Sequence, residues 1–165
     1  NTTNNNNITN NNQKTVNIHN HNHIQINAFG SENYDYMMDE NKRLRKIIQN
    51  KNAFMQNIIE AIHFDEKHPE NRNILMTNLQ SKHILIHDGT KFVKALKDQT
   101  LDKMINDKRK FLISNIEDLE LSIGCEREVK DKLHKLRHDE ESQKILKDKV
   151  ELLCYNKKDM TLENE

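Results

Sequence analysis

The sequence predicts an α+β protein: an N-terminal self-associating β-strand, a helical pair, a small antiparallel β-hairpin sheet and a group of C-terminal helices. Three observations predict it. Residues 16–30, VNIHNHNHIQINAFG, alternate side-chain character with period two, as a strand with one buried face does. Two short apolar runs flank Asp88-Gly89, a strong hairpin signal because a primed two-residue turn needs positive φ. Over residues 35–63, and again from residue 98, apolar residues recur at spacings of three and four, the period of an amphipathic helix.

Residues 1–15 are an Asn-rich linker or a polar extension of the strand, since such a tract cannot bury enough apolar surface to fold alone. In the strand, Val16, Ile18, Ile24 and Ile26 share one parity with Asn20 and Asn22; His19, His21 and His23 take the other. No turn and second strand follow, so the strand pairs with something distant or with copies of itself. Gly30 ends it. Residues 31–158 form the α+β domain. Its first helix spans about 35–50, with Leu44, Ile47 and Ile48 as its stripe; its second spans about 52–63, capped by Asn52 and carrying Phe54, Met55, Ile58, Ile59 and Ile62. Pro69, the only proline, breaks the pattern. Strands follow over 73–78, 83–87 and 91–95. A long helix then starts near Asp98 or Thr100, with Gly124 as its stop, and two more cover 126–138 and 140–155. Residues 159–165 are a polar tail.

Composition narrows the function classes. Of 165 residues, 34% are hydrophobic and 32% charged, a thin core that self-association would supplement. Lysine plus arginine equals aspartate plus glutamate at 26 each, so no global basic field draws the chain to nucleic acid. Cys125 and Cys154 are far apart, which indicates neither a zinc knuckle nor a disulfide framework and fits reduced thiols in an intracellular compartment. No apolar run has the length of a membrane span. The chain begins at Asn1 rather than Met, as a fragment lacking an N-terminal head would.

Three groups of residues carry candidate chemistry. His19, His21 and His23 project from one side of the strand; wrapped inward in three parallel chains they would form rings for a transition metal. Parity opposes this, because Val16, Ile18, Ile24 and Ile26 define the apolar face, and the expectation is no cofactor. His63, Asp65, Glu66, His68 and Glu70 could serve a metal-dependent enzyme such as a nuclease, but the stretch reads as a polar loop with no nucleophile or oxyanion donors nearby. Lys42, Arg43, Arg45 and Lys46 could touch nucleic-acid phosphate, while the plainer reading is the solvated face of a helix.

Several short blocks resemble a family of the giant viruses, the nucleocytoplasmic large DNA viruses. Residues 26–30 with Glu32 look like its NAFG-x-E block. Ile62-His63-Phe64, His68-Pro69-Glu70-Asn71 and Asn73-Ile74 look like its IHF…HPEN-x-NI block. Asp88-Gly89 with Lys91-Phe92 looks like its DG-x-KW turn, with Phe92 in place of tryptophan, and residues 152–156 resemble its closing helix. In that family the region often follows a DNA-binding head, commonly a zinc finger; no such head is in this sequence, and the resemblance carries over no catalytic residue. Together with the unpartnered strand, the resemblance gives the expected function: a non-enzymatic viral assembly module, a homo-oligomer with a trimer favoured, presenting DNA-binding or partner-binding heads in several copies. The implied location is the host cytoplasm or viral factory, or alternatively the virion. Within the oligomer, Val16, Ile18, Asn20, Asn22, Ile24 and Ile26 are the expected contacts.

Overall fold

Helix α3 (Phe54–His63) is apolar nearly all the way round, and such a helix has to be buried. In the computed structural model, which describes residues 24–39 and 41–162, it is enclosed by α2 (Asn41–Gln49), α4 (Lys97–Asn115) and α6 (Glu140–Asn156). Each neighbour turns one stripe toward it. α2 contributes Leu44 and Ile48, α4 contributes Leu101, Met104, Ile105 and Leu112, and α6 contributes Leu146, Val150, Leu153 and Cys154. α5 (Ile123–His138) adds Val129 and Leu133, and α1 (Asp35–Asp39) adds Met37. A modest apolar share therefore makes one continuous core, because its members are confined to facing stripes. Each fully buried large aliphatic side chain is worth about 1.5–3 kcal/mol.

A three-stranded antiparallel sheet lies beside the helices in the order β1 (Ile74–Leu75), β2 (His83–His87), β3 (Phe92–Leu96). Ile84 and Ile86 pair with Ala95 and Val93, and Ile84, Ile86 and Ala95 join the helical core. This is the α+β architecture the alternation of periods predicts. Among the described residues no helix is long and apolar enough to cross a membrane.

Four local expectations change. The link between β2 and β3 is a four-residue loop, 88–91, rather than a two-residue primed turn. The Asp88 carboxylate closes it by accepting from Thr90 N–H, Thr90 Oγ1–H and Lys91 N–H, and only Gly89, at φ +101°, is left-handed there. Gly124 sits in the first turn of α5; the stop it was expected to provide comes instead from Glu120, at φ +47°, after a short 3-10 turn over Glu117–Leu119. Asn52 does not cap α3, whose N-cap is Ala53. The C-terminal stretch includes a helix, α7 (Lys158–Leu162), tied to β1 by Thr161 Oγ1–H donating to the Ile74 carbonyl at 3.1 Å.

The predicted N-terminal strand divides at the edge of the description. Val16, Ile18, Asn20 and Asn22 lie outside the described residues, as do His19, His21 and His23. Residues 24–28 belong to no strand; they begin a strap that runs through Tyr34 and lies on the domain's own surface.

The loop makes one clear demand on sequence. Gly89→Val forces a β-branched residue to positive φ and should cost about 1 kcal/mol or more. A thermal melt of the variant checks this, with the midpoint falling by several degrees.

Candidate functional site

The most unusual chemistry in the molecule is where the strap meets α3, α4 and the approach to β1. Helix α4 places Leu101, Met104, Ile105 and Leu112 on its inner face, and Lys108 falls on that same face. Its ammonium meets the Glu32 carboxylate from the strap at 3.2 Å, and the two side chains are 1% and 0% exposed. Burying an ion pair demands that every remaining lone pair be used. Glu32 meets the demand: Oε1 accepts from Gly30 N–H and from Asn73 Nδ2–H, both at 2.8 Å, and Oε2 accepts from the Tyr34 hydroxyl at 2.9 Å. Lys108 also donates to the Tyr34 oxygen at 3.1 Å.

Asn73 passes the network on to His63, whose Nδ1 lies 3.0 Å from Asn73 Oδ1. With the amide oriented so that Nδ2 donates to Glu32, His63 Nδ1 must be the donor to Oδ1. His63 Nε2 is buried and has no partner among the described residues. The ring stacks on Phe29, 6.1 Å between centroids.

Titration follows from this setting. Burial raises the Glu32 carboxyl, but His63, the Lys108 ammonium and the Gly30 and Asn73 donors outweigh it and hold it down at about 2. Burial, with the charge of Lys108, pushes the His63 imidazole down to about 3, so the ring is neutral at pH 7. Burial lowers Lys108 and Glu32 pulls it back. Burial and the Glu32 charge raise the Tyr34 phenol, and burial raises Tyr36 to about 12.

A second set of bonds fastens the strap. Asn71, fully buried, accepts at Oδ1 from Asn27 Nδ2–H at 2.9 Å and from Asn33 N–H at 3.3 Å, and donates from Nδ2 to the Asn33 carbonyl at 3.1 Å. Asn27 N–H donates to the Glu70 carbonyl, and Phe29 N–H to the His87 carbonyl, both at 2.8 Å. The blocks 26–32, 62–64, 68–74 and 87–89 thus converge on one region. Gly30 is at φ +89°, and an added Cβ there would collide with the Lys103 side chain.

The other candidates are dispersed. His63 is in the interior; Asp65 pairs with Arg43 at 2.5 Å; His68 bonds Glu70 at 3.0 Å and stacks on Tyr36. Among the described residues no three His, Cys, Asp or Glu side chains form a group able to hold a metal. On the basic helix, Arg43 and Arg45 are engaged by Asp65 and Glu120, which leaves Lys42 and Lys46 exposed but removes the concentrated charge. Ile24 and Ile26, expected to face the same way, part company: Ile26 is 8% exposed and Ile24 44%.

Sequence reasoning misses Lys108 and Glu32 as a pair, although position 108 falls in register with Leu101, Met104, Ile105 and Leu112, where a lysine needs a buried partner. No protein-family model, no curated protein and no solved structure matches the chain.

The buried pair sets two expectations. Glu32→Gln or Lys108→Met leaves one partner uncompensated and should cost about 3–5 kcal/mol each; Glu32→Gln combined with Lys108→Met should cost less than the sum of the two. Urea unfolding of the singles and the double measures this. For His63, the unfolded ring titrates near 6.5 and the folded one near 3, so the unfolded state takes up the proton first. Stability is full above that window and falls as pH drops through it. Glu32 adds a loss of its own below about 4.5, its unfolded value. Urea midpoints at about pH 7 and pH 5 should therefore differ less in His63→Leu than in the wild type.

Proposed function

We propose that the chain is a non-enzymatic assembly module, in which the alternating stretch before Ile24 joins copies and the folded domain holds that stretch in a defined place. The observation that carries this reading is the change at the start of the strap. Ile26 is buried against its own domain, while Ile24, of the same parity, is left 44% exposed where the apolar row continues toward Ile18 and Val16. A self-associating stretch needs a firm base, and the bonds of Asn27, Phe29 and Glu32 supply one. The polar cluster supports the same reading: its acid–base groups bond to one another and are closed to solvent, which suits fastening rather than turnover.

The assembly is a homo-oligomer, with three copies favoured. The resemblance to the giant-virus family supports a role there, presenting DNA-binding or partner-binding heads in several copies. Linked copies gain avidity without any new contact.

The test is mass in solution by light scattering. Removing residues 1–23 keeps Ile26 and Asn27, and with them the domain, and should reduce the mass to that of a monomer. Ile24→Asp should weaken association and melt no lower than the chain without residues 1–23. His21→Ser and added chelator should leave the mass unaltered. An unchanged mass after the deletion would place the contact in the helices, and stoichiometric metal released together with the oligomer in mild acid would assign the contact to His19, His21 and His23.

A further inference from the structure

The sheet has one side that nothing in the described residues covers. Antiparallel ladders bond every second pair, and the pairs here are set by Lys97 N–H to the Lys82 carbonyl at 2.9 Å and Asp88 N–H to the Lys91 carbonyl at 3.0 Å. With the register Ile84 to Ala95 and Ile86 to Val93, the groups of Lys91, Val93 and Ala95 point to β2. Those of Phe92 and Lys94 point the other way, and among the described residues no backbone bond reaches them. The opposite edge, β1, is covered by α7.

Burial across the sheet falls off in the same direction. Ile84 on the central strand is fully buried, while Ala95 and Val93, facing the same side from β3, are only half-buried, and Leu96 is 49% exposed. A sheet that ends in this way accepts a further strand.

The strap bonds the β1 side of β2 through Phe29 and begins at the hairpin end of the sheet. Ile24 and Phe92, the first residue of β3, line one surface cavity of about 480 Å³ that extends to Arg72 and Thr161 on the β1 side. The stretch that precedes Ile24 is the one with strict alternation, and seven of its residues, 16–22, match a five-residue edge in length. It carries no lysine or arginine, so it adds no like charge opposite Lys94, the residue that guards the edge against indiscriminate pairing. No glycine or proline occurs between Val16 and Phe29 to fold the stretch back on itself.

We propose that the open edge of β3 accepts residues 16–22 of a second copy as a fourth, antiparallel strand, placing Val16 and Ile18 beside Val93 and Ala95. This rests on the assembly reading and names its acceptor. Each copy gives a strand and receives one, so a head-to-tail ring closes without leaving an edge, and three copies suffice.

Two experiments on the full chain decide it. Lys94→Pro removes an N–H that faces away from β2 and so spares the hairpin, but blocks an added strand. Light scattering should then give monomer, melting where the chain without residues 1–23 melts. Second, in a Cys125→Ser background, Asn17→Cys and Lys94→Cys copies are co-expressed and treated with a short bismaleimide, since Val16 beside Ala95 and Ile18 beside Val93 set Asn17 opposite Lys94; His19→Cys repeats the pairing for a two-residue shift. The expected product is a cross-linked dimer of the two different copies, absent when either variant is treated alone. Cross-linking of Asn17→Cys or His19→Cys alone would mean that like segments pair. A link inside one chain of the double variant, at monomer mass, would mean that the edge takes its own segment. Either result, or no cross-link in any combination, overturns the proposal. If deletion of residues 1–23 gives monomer while Lys94→Pro does not, the assembly reading stands and this acceptor falls. If the deletion changes nothing, the assembly reading itself falls.

Discussion

The Glu32 carboxylate joins parts of the chain that have no other reason to meet. Its four donors come from Gly30 and Tyr34 on the strap, Asn73 ahead of β1, and Lys108 on α4. Taking a carboxylate and an ammonium out of water is expensive, and a pair with any lone pair unused would destabilise the fold. With all four carboxylate lone pairs filled, a shift of the strap would leave a buried charge short of donors. An apolar contact of the same size would hold the strap as strongly but would tolerate sliding by a residue or two. The network therefore fixes where the strap lies, and with it where the alternating stretch leaves the domain.

Asn71 reinforces the same outcome by different means. A side-chain amide can donate and accept like a peptide group, and Asn71 does both toward Asn33 while also holding Asn27. Beyond Asn73 the pairing of β1 with β2 stops, and the strap's Phe29 N–H takes the His87 carbonyl. The strap thus completes the end of the sheet. His63 is the weak point in this otherwise saturated region: one ring nitrogen bonds Asn73 and the other is buried without a partner among the described residues.

The surface explains how a chain with so many charges has no strong field. Arg43 and Asp65, Arg45 and Glu120, Lys51 and Glu128, Lys97 and Glu151, and Lys147 with Asp98 and Asp102 all neutralise each other locally. The more exposed of these pairs, such as Lys51 with Glu128, contribute little stability, about 0–1 kcal/mol each. Their effect is to leave hydrogen-bonding edges and apolar side chains, rather than charge, as the recognisable features of the exterior. The start of β3 and the exposed Ile24 share one surface cavity.

The sequence by itself determined the elements. The three-and-four spacing of Phe54, Ile58, Ile59 and Ile62, and the paired runs around Asp88-Gly89, gave helices and hairpin in the right order, because local periodicity decides which face of an element can be buried. It also made the short blocks around Phe29, His63, Asn71 and Gly89 stand out, without saying that they meet. Ends of elements were less legible: Gly124 opens a helix instead of closing one, since Glu120 accepts a left-handed backbone in its place. The tertiary structure alone decided that Lys108 is a core residue, that His63 is in the interior and not in a polar loop site, and that Ile26 packs against its own chain while Ile24 does not. Those outcomes depend on partners 76 residues apart for Lys108 and Glu32 and 41 for Glu32 and Asn73. Hydrophobic period is a property of neighbours along the chain, whereas the burial of a charge is settled only by what the fold brings to it from far away.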